Sequence, residues 1–269
     1  MKNTILRSLL IIIMIGCSQK RENDLSNTSE EIWLNPLDSM VYTWIPPGKM
    51  MIDAMEKVGE ETRTIRKEVN IGHGFWMSKT EVTVRQFTAF INSTNYVTEA
   101  ENAEHRFNWQ SPGFDQEPDH PVVYVSINDM KQYMEWVGAE VPTQEEWIYA
   151  TRAGTQTSYY WGDEFNEDYL WYRMNTSGGT QPVGTKLANN WGLHDMIGNV
   201  YEYVSVCNEN YIVIGSSWTR CHRYSSHNRG DTVQLPLGKT GEFRLVDCTA
   251  GLINPWNDDT GFRCVKHNN

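Results

Sequence analysis

The chain has 269 residues, which suits one large domain or two small ones, and with 39% hydrophobic and 21% charged residues a real core is possible. A net charge of -11 and an isoelectric point near 5.1 exclude a phosphate-reading nucleic-acid surface, because that needs a basic patch. No nucleic-acid partner is expected, whereas an acidic domain can host a cation.

The N-terminus reads MKNTILRSLLIIIMIGCSQK. Lys2 and Arg7 flank a short apolar run, residues 9–15, that is too short to span a bilayer and reads as a signal peptide over residues 1–17. Its ending, Met14-Ile15-Gly16-Cys17, resembles a bacterial lipobox, in which Cys17 receives a lipid and becomes the mature N-terminus. An ordinary cleaved leader with an incidental cysteine is the other reading. The first places the protein in the cell envelope, lipid-anchored at the periplasmic or outer-membrane face. Residues 18–40 are predicted to be a polar tether, strongly so over 18–31 (SQKRENDLSNTSEE). A folded domain is predicted over residues 41–267.

Inside it, residues 74–78 (GFWMS) predict a strand. Val84, Phe87, Phe90 and Ile91 recur at helical spacing and predict a helix over 83–93. A long polar and aromatic loop, 99–119, leads to a short predicted strand, Val122 to Val125. Ser126 or Asn128 can cap a helix running through Val137, with Met130, Tyr133, Met134 and Val137 buried. Thr143 with Glu146 is a capping box opening the next helix, and Gly154 is its expected stop. From about Tyr159 the sequence is loop, rich in Gly, Asn, Asp and Trp. Short helices followed by a loop-heavy half predict an α+β fold. That much irregular chain needs pinning by metal, disulfides or aromatic packing. Cys207, Cys221, Cys248 and Cys264 form an even set, compatible with two disulfides, with three connectivities open.

Residues 192–202 (GLHDMIGNVYE) carry the strongest local site. Asp195 and Glu202 supply hard oxygens, and backbone carbonyls between them can converge at the turn through Gly198. Calcium takes about 6–8 such oxygens and tolerates irregular loops. A metal-free loop held by carboxylate-to-amide hydrogen bonds is the alternative.

Eight segments in order resemble the formylglycine-generating-enzyme (sulfatase-modifying factor) family. They are 79–83 (KTEVT), 120–126 (HPVVYVS), 141–154 (VPTQEEWIYATRAG), 160–163 (YWGD), 181–184 (QPVG), 190–203 (NWGLHDMIGNVYEY), 215–218 (GSSW) and 261–264 (GFRC). The resemblance implies a compact, loop-rich relative of the C-type lectin fold. It also implies a structural calcium held by the side chains of Asp195 and Glu202 and the backbone of Gly198 and Val200. The client it implies is a sulfatase or another secreted protein, whose cysteine is converted to formylglycine using dioxygen and copper(I). The catalytic positions would fall on Cys221, Ser226, Ser217 and Tyr201.

The copper pair is where this chain departs. Two thiolates suit copper(I), but the position five residues after Cys221 is Ser226, and a hydroxyl is a poor ligand for that ion. His222 and His227 are the neighbouring imidazoles, read either as metal ligands or as surface histidines. A non-catalytic lipoprotein that uses the same fold for binding or assembly is the second reading. The closing motif is expected at 259–264 (DTGFRC) rather than at its interrupted copy, 241–246 (GEFRLV).

Overall fold

A computed structural model describes residues 31–58, 61–207, 210–219, 244–245 and 256–268. The leader, Cys17, Cys221, Ser226, His222, His227 and Cys248 lie outside the described residues. Among those described, no helix is long and apolar enough to cross a membrane.

Three small sheets carry the strands, as an α+β arrangement requires. In the first, β1 (Ile32–Leu34), β2 (Val41–Ile45), β5 (Phe75–Ser78) and β10 (Val265–His267) run in the order β1-β2-β5-β10, all antiparallel. Nearly the last residues of the domain therefore pair with some of its first. β1 also corrects the predicted tether boundary. Residues 32–40 belong to the fold, because Trp33 packs on Tyr42 at 4.8 Å, and the polar residues after it are bonded rather than solvated. Asn35 donates to the Val137 carbonyl at 3.0 Å, and buried Asp38 accepts from the Met40 amide at 2.9 Å and from the Tyr133 hydroxyl.

The second sheet is a long hairpin, β3 (Gly48–Val58) with β4 (Glu61–Ile71), joined by the short parallel strand β8 (Arg244–Leu245). Ile52, Ala54, Val69 and Ile71 are buried at period two, while Met51 and Glu68 face out. The third sheet places β6 (Tyr201–Cys207) between β7 (Asn210–Ile214) and β9 (Thr260–Gly261), parallel to the latter.

Four helices follow the capping logic of the sequence. α1 (Val84–Thr94), α2 (Glu99–Asn102), α3 (Ile127–Val137) and α4 (Gln144–Arg152) each begin with a capping box, built on Thr83, Thr98, Ser126 and Thr143. α2 lies inside the stretch expected to be all loop. Phe87 and Phe90 of α1 pack on Tyr133 of α3, ring centroids 6.0 and 5.6 Å apart, forming one of the main apolar clusters. The stop of α4 is Ala153, left-handed at φ 44°, one residue before the expected Gly154.

Residues 122–125 do not form the predicted strand. Val122, Val123 and Val125 are buried, but Tyr124 sits at φ 57°, which breaks any extended run, and its amide donates to Asn257. The apolar run reflects burial on all sides rather than a place in a ladder.

Two disulfides also fail as an expectation. Cys264 is a buried free thiol; burial, and then the nearby Asp38 carboxylate, push its thiol well above the ordinary range. With Cys264 unpaired, the other three domain cysteines can form at most one bridge. Denatured monomer in the absence of reductant is therefore expected to show two or four reactive domain thiols on titration. Full protection of the domain cysteines would contradict the buried thiol.

Candidate functional site

The centre of the molecule is an ion pair. Arg263, between β9 and β10, meets Glu202 of β6 in a two-pronged contact, Nε to Oε2 at 2.6 Å and Nη2 to Oε1 at 2.8 Å. The Trp147 indole of α4 donates to the same Oε2 at 2.7 Å. The guanidinium also donates to the carbonyls of Ser78 (3.2 Å) and His194 (2.9 Å). One buried cation thus ties β5, β6, α4 and the 190s loop together. Burial works against its charge, but Glu202 prevails and holds the guanidinium above its ordinary range.

Two more carboxylates lie beside this pair. Asp195, left-handed at φ 54°, accepts from the Gly184 amide at 2.7 Å through Oδ2, while its Oδ1 is buried without a donor among the described residues. Glu81, just before α1, is fully buried, and among the described residues neither of its oxygens has a donor. Burial first, then the Asp195 carboxylate, raise the Glu81 carboxyl well above the usual range. Burial likewise raises Asp195, against the Gly184 hydrogen bond.

These contacts bear on the calcium expected from the sequence. Both Glu202 oxygens are engaged by Arg263 and Trp147, so its side chain is a weaker candidate ligand than the motif implied. Asp195 Oδ1 suits a hard cation, since it is buried and unmatched. Fully ionised, Glu81, Asp195 and Glu202 against Arg263 leave two uncompensated negative charges, which a divalent ion would balance. Among the described residues, no three His, Cys, Asp or Glu side chains converge as donors, so a cation here needs backbone carbonyls or water as well. Gly198, at φ 94°, packs against the Trp171 backbone and makes the turn that would aim such carbonyls.

The described catalytic candidates gather at the start of β6. Buried Ser217 donates to Asp259 Oδ2 at 3.1 Å and lies 2.8 Å from the Thr219 hydroxyl, which donates to the same oxygen at 2.9 Å. The Tyr201 amide donates to the Asp259 carbonyl at 2.8 Å. Asp259 thus links Ser217 to Tyr201, a role the sequence reading missed although the residue opens the closing motif. Ser217 is closed off from solvent and donates to a carboxylate, a contact that holds its hydroxyl in place. Ser216 at φ 118° and Tyr124 at φ 57° are strained non-glycine residues, and Tyr124 neighbours this end through the bond to Asn257. Trp218 packs edge-on to Phe114 at 5.5 Å and donates to the Asp258 carbonyl. A separate recess of about 450 Å³ lies between the β3–β4 hairpin and the end of α4 and is lined by none of these residues.

Residues 29–268 match the Sulfatase-modifying factor enzyme 1-like domain. Formylglycine-generating enzyme of Bos taurus is 31% identical over 180 residues, covering 49% of this chain and 48% of that protein. Inactive C-alpha-formylglycine-generating enzyme 2 of Mus musculus is 26% identical over 273 residues, covering 82% of this chain and 84% of that protein. The chain spans about half the length of the bovine formylglycine-generating enzyme it matches. The structure of PvdO from Pseudomonas aeruginosa superposes with a TM-score of 0.66 at 19% identity, covering 90% of this chain and all of that one; at that identity the likeness shows the fold.

Proposed function

This chain belongs to the Sulfatase-modifying factor enzyme 1-like family, and from that premise we propose that it is an envelope-tethered formylglycine-generating-enzyme-like protein. It recognises a segment of a secreted client, with a sulfatase as the leading client class, and lacks the copper-dependent oxidation of a client cysteine. One observation carries this reading: Cys221 is followed five residues on by Ser226, so the donor set has one thiol where copper(I) needs two. The residues do not fit the metal. Both positions lie outside the described residues.

In this reading Ser217, Thr219 and Asp259 shape the client-facing end of β6 by fixing one another and the Tyr201 backbone. Similarity to a relative whose own name calls it inactive supports a fold kept for recognition after the chemistry is lost. Calcium at Asp195, with the Gly198 and Val200 carbonyls, belongs to the same proposal as a structural ion; the unmatched Asp195 oxygen supports it. So does lipid attachment at Cys17, on the pattern of the leader. The relation to the C-type lectin fold is proposed on the loop-heavy half that follows the capped helices.

Copper(I) competition with a chromophoric chelator tests the reading, with Cys221→Ser alongside. The wild-type chain is expected to hold copper no more tightly than the variant. Stoichiometric copper lost in Cys221→Ser would restore the oxidase.

A further inference from the structure

The recess between the β3–β4 hairpin and the end of α4 shares no residue with the client-facing end of β6. Its charges are unlike those of the chain as a whole. Lys49, Arg66 and Arg152 line it against Asp53 and Glu68, one positive charge in excess, whereas the chain carries -11. Two guanidinium groups facing one concavity repel each other. Arg152 registers that repulsion: burial first, then the Arg66 guanidinium, pull it below its ordinary range, against the Asp53 carboxylate.

The fold sets these groups in place. Arg66 stands directly across the ladder from Asp53, so both side chains leave the same face of the hairpin. Their ion pair is loose, 3.9 Å from Nε to Oδ1, beyond hydrogen-bond reach, which leaves the Arg66 donors for another acceptor. Lys49 and Glu68 pair with each other at 2.7 Å. Arg152 is the last residue of α4, and its carbonyl accepts from both the Thr155 amide (2.9 Å) and the Thr155 hydroxyl (2.8 Å). The turn through Gly154, at φ 83°, brings Thr155 and Gln156 round as a further wall. The Tyr149 hydroxyl of α4 lies against Gly48 at the start of β3, where an added Cβ would come within 2.3 Å of it. Helix and hairpin are thus in contact beside the recess. At about 450 Å³ the space is that of a small-molecule site, larger than a bare ion needs.

We infer that this recess binds a small molecule bearing an oxyanion, a carboxylate or a phosphate, held between the Arg66 and Arg152 guanidinium groups. A planar guanidinium presents paired N–H donors that match two oxygens of either group. One anion between two such forks replaces their mutual repulsion by attraction on both sides. Half-exposed Met51 offers the body of the ligand an apolar contact.

Isothermal titration calorimetry on the full chain tests it, with inorganic phosphate and succinate as probes. Arg66→Gln and Lys67→Gln make the same change of charge at neighbouring exposed residues of β4, but only Arg66 lines the recess. Wild type is expected to bind at least one probe, Arg66→Gln to weaken that binding about tenfold or more, and Lys67→Gln to leave it unchanged. Arg66→Lys, which keeps the charge but not the fork, is expected to recover binding only in part. Raising the salt from about 0.01 M to about 1 M, which shortens the screening length from about 30 Å to about 3 Å, should also weaken it. The tighter of the two probes tells phosphate from carboxylate as the group taken. Heat from neither probe at millimolar concentrations overturns the inference. So does an equal loss in Arg66→Gln and Lys67→Gln, which marks a general effect of charge.

Discussion

Arg263→Met is expected to destabilise the fold by about 3–5 kcal/mol, because it leaves Glu202 charged, buried and unpaired. Both partners are shut off from solvent, their side chains 0% and 1% exposed, so water cannot replace the lost guanidinium. The loss should exceed that of an isolated pair, since Glu81 and Asp195 stand close by and all three acids then lack their common cation. Urea denaturation measures it through the midpoint at unchanged slope. Adding Glu202→Leu to Arg263→Met should recover part of the loss by removing the stranded charge, although the Trp147 indole then loses its acceptor. A single-variant loss below about 1 kcal/mol would mean that the pair behaves like an exposed one.

Gly198→Ala is the second large effect. A methyl group there would lie 2.4 Å from the Trp171 carbonyl oxygen, 3.0 Å from its nitrogen and 3.1 Å from Leu170 Cβ, against backbone that cannot swing aside. The residue also sits at φ 94°, where a side chain is strained whatever the space. Strain and overpacking together give an expected loss of about 2–5 kcal/mol. Gly154→Ala is the control: its φ is 83° but nothing lies within 4 Å of the added carbon, so only the backbone penalty of about 1–2 kcal/mol remains. Equal losses in the two variants would show that packing at Gly198 contributes little.

What was legible in the sequence followed from local chemistry. Thr143 with Glu146 marks the start of α4 because the reciprocal bond closes within four residues. Ser126 is one of two caps open for α3, and α1 is legible from the helical spacing of Val84, Phe87, Phe90 and Ile91; the boxes on Thr83 with Gln86 and Ser126 with Asp129 are seen in the structure. The GFWMS strand was equally plain, and the ordered motifs carried the family. The β3–β4 hairpin was not anticipated, although Val69 and Ile71 alternate with Glu68 and Asn70, because its first strand mixes Met50, Met51 and Ile52 without clean alternation. Residues 122–125 misled for the opposite reason: an unbroken apolar run records burial, and nothing local reveals the left-handed Tyr124. Residues 32–40 looked like tether because Asn35 and Asp38 are polar, yet their partners, Val137 and Tyr133, lie about a hundred residues away.

The site divided along the same line. The 190–203 motif pointed to Asp195 and Glu202, but only the three-dimensional arrangement shows Arg263 holding Glu202 and Glu81 standing beside Asp195. Sequence distance hides such relations: Arg263 bonds to Ser78 across 185 positions. Asp259 escaped notice because its role depends on Ser217, Thr219 and Tyr201 meeting at one end of β6.

Recognition of a client without its oxidation can be read in one incubation. The full chain is mixed with a cysteine-containing sulfatase peptide in air, with and without copper(I), and both the complex and the released peptide are read by mass spectrometry. The expected result is a peptide that binds the chain and returns with its cysteine unchanged under both conditions. Copper-dependent conversion of that cysteine to formylglycine would contradict the account.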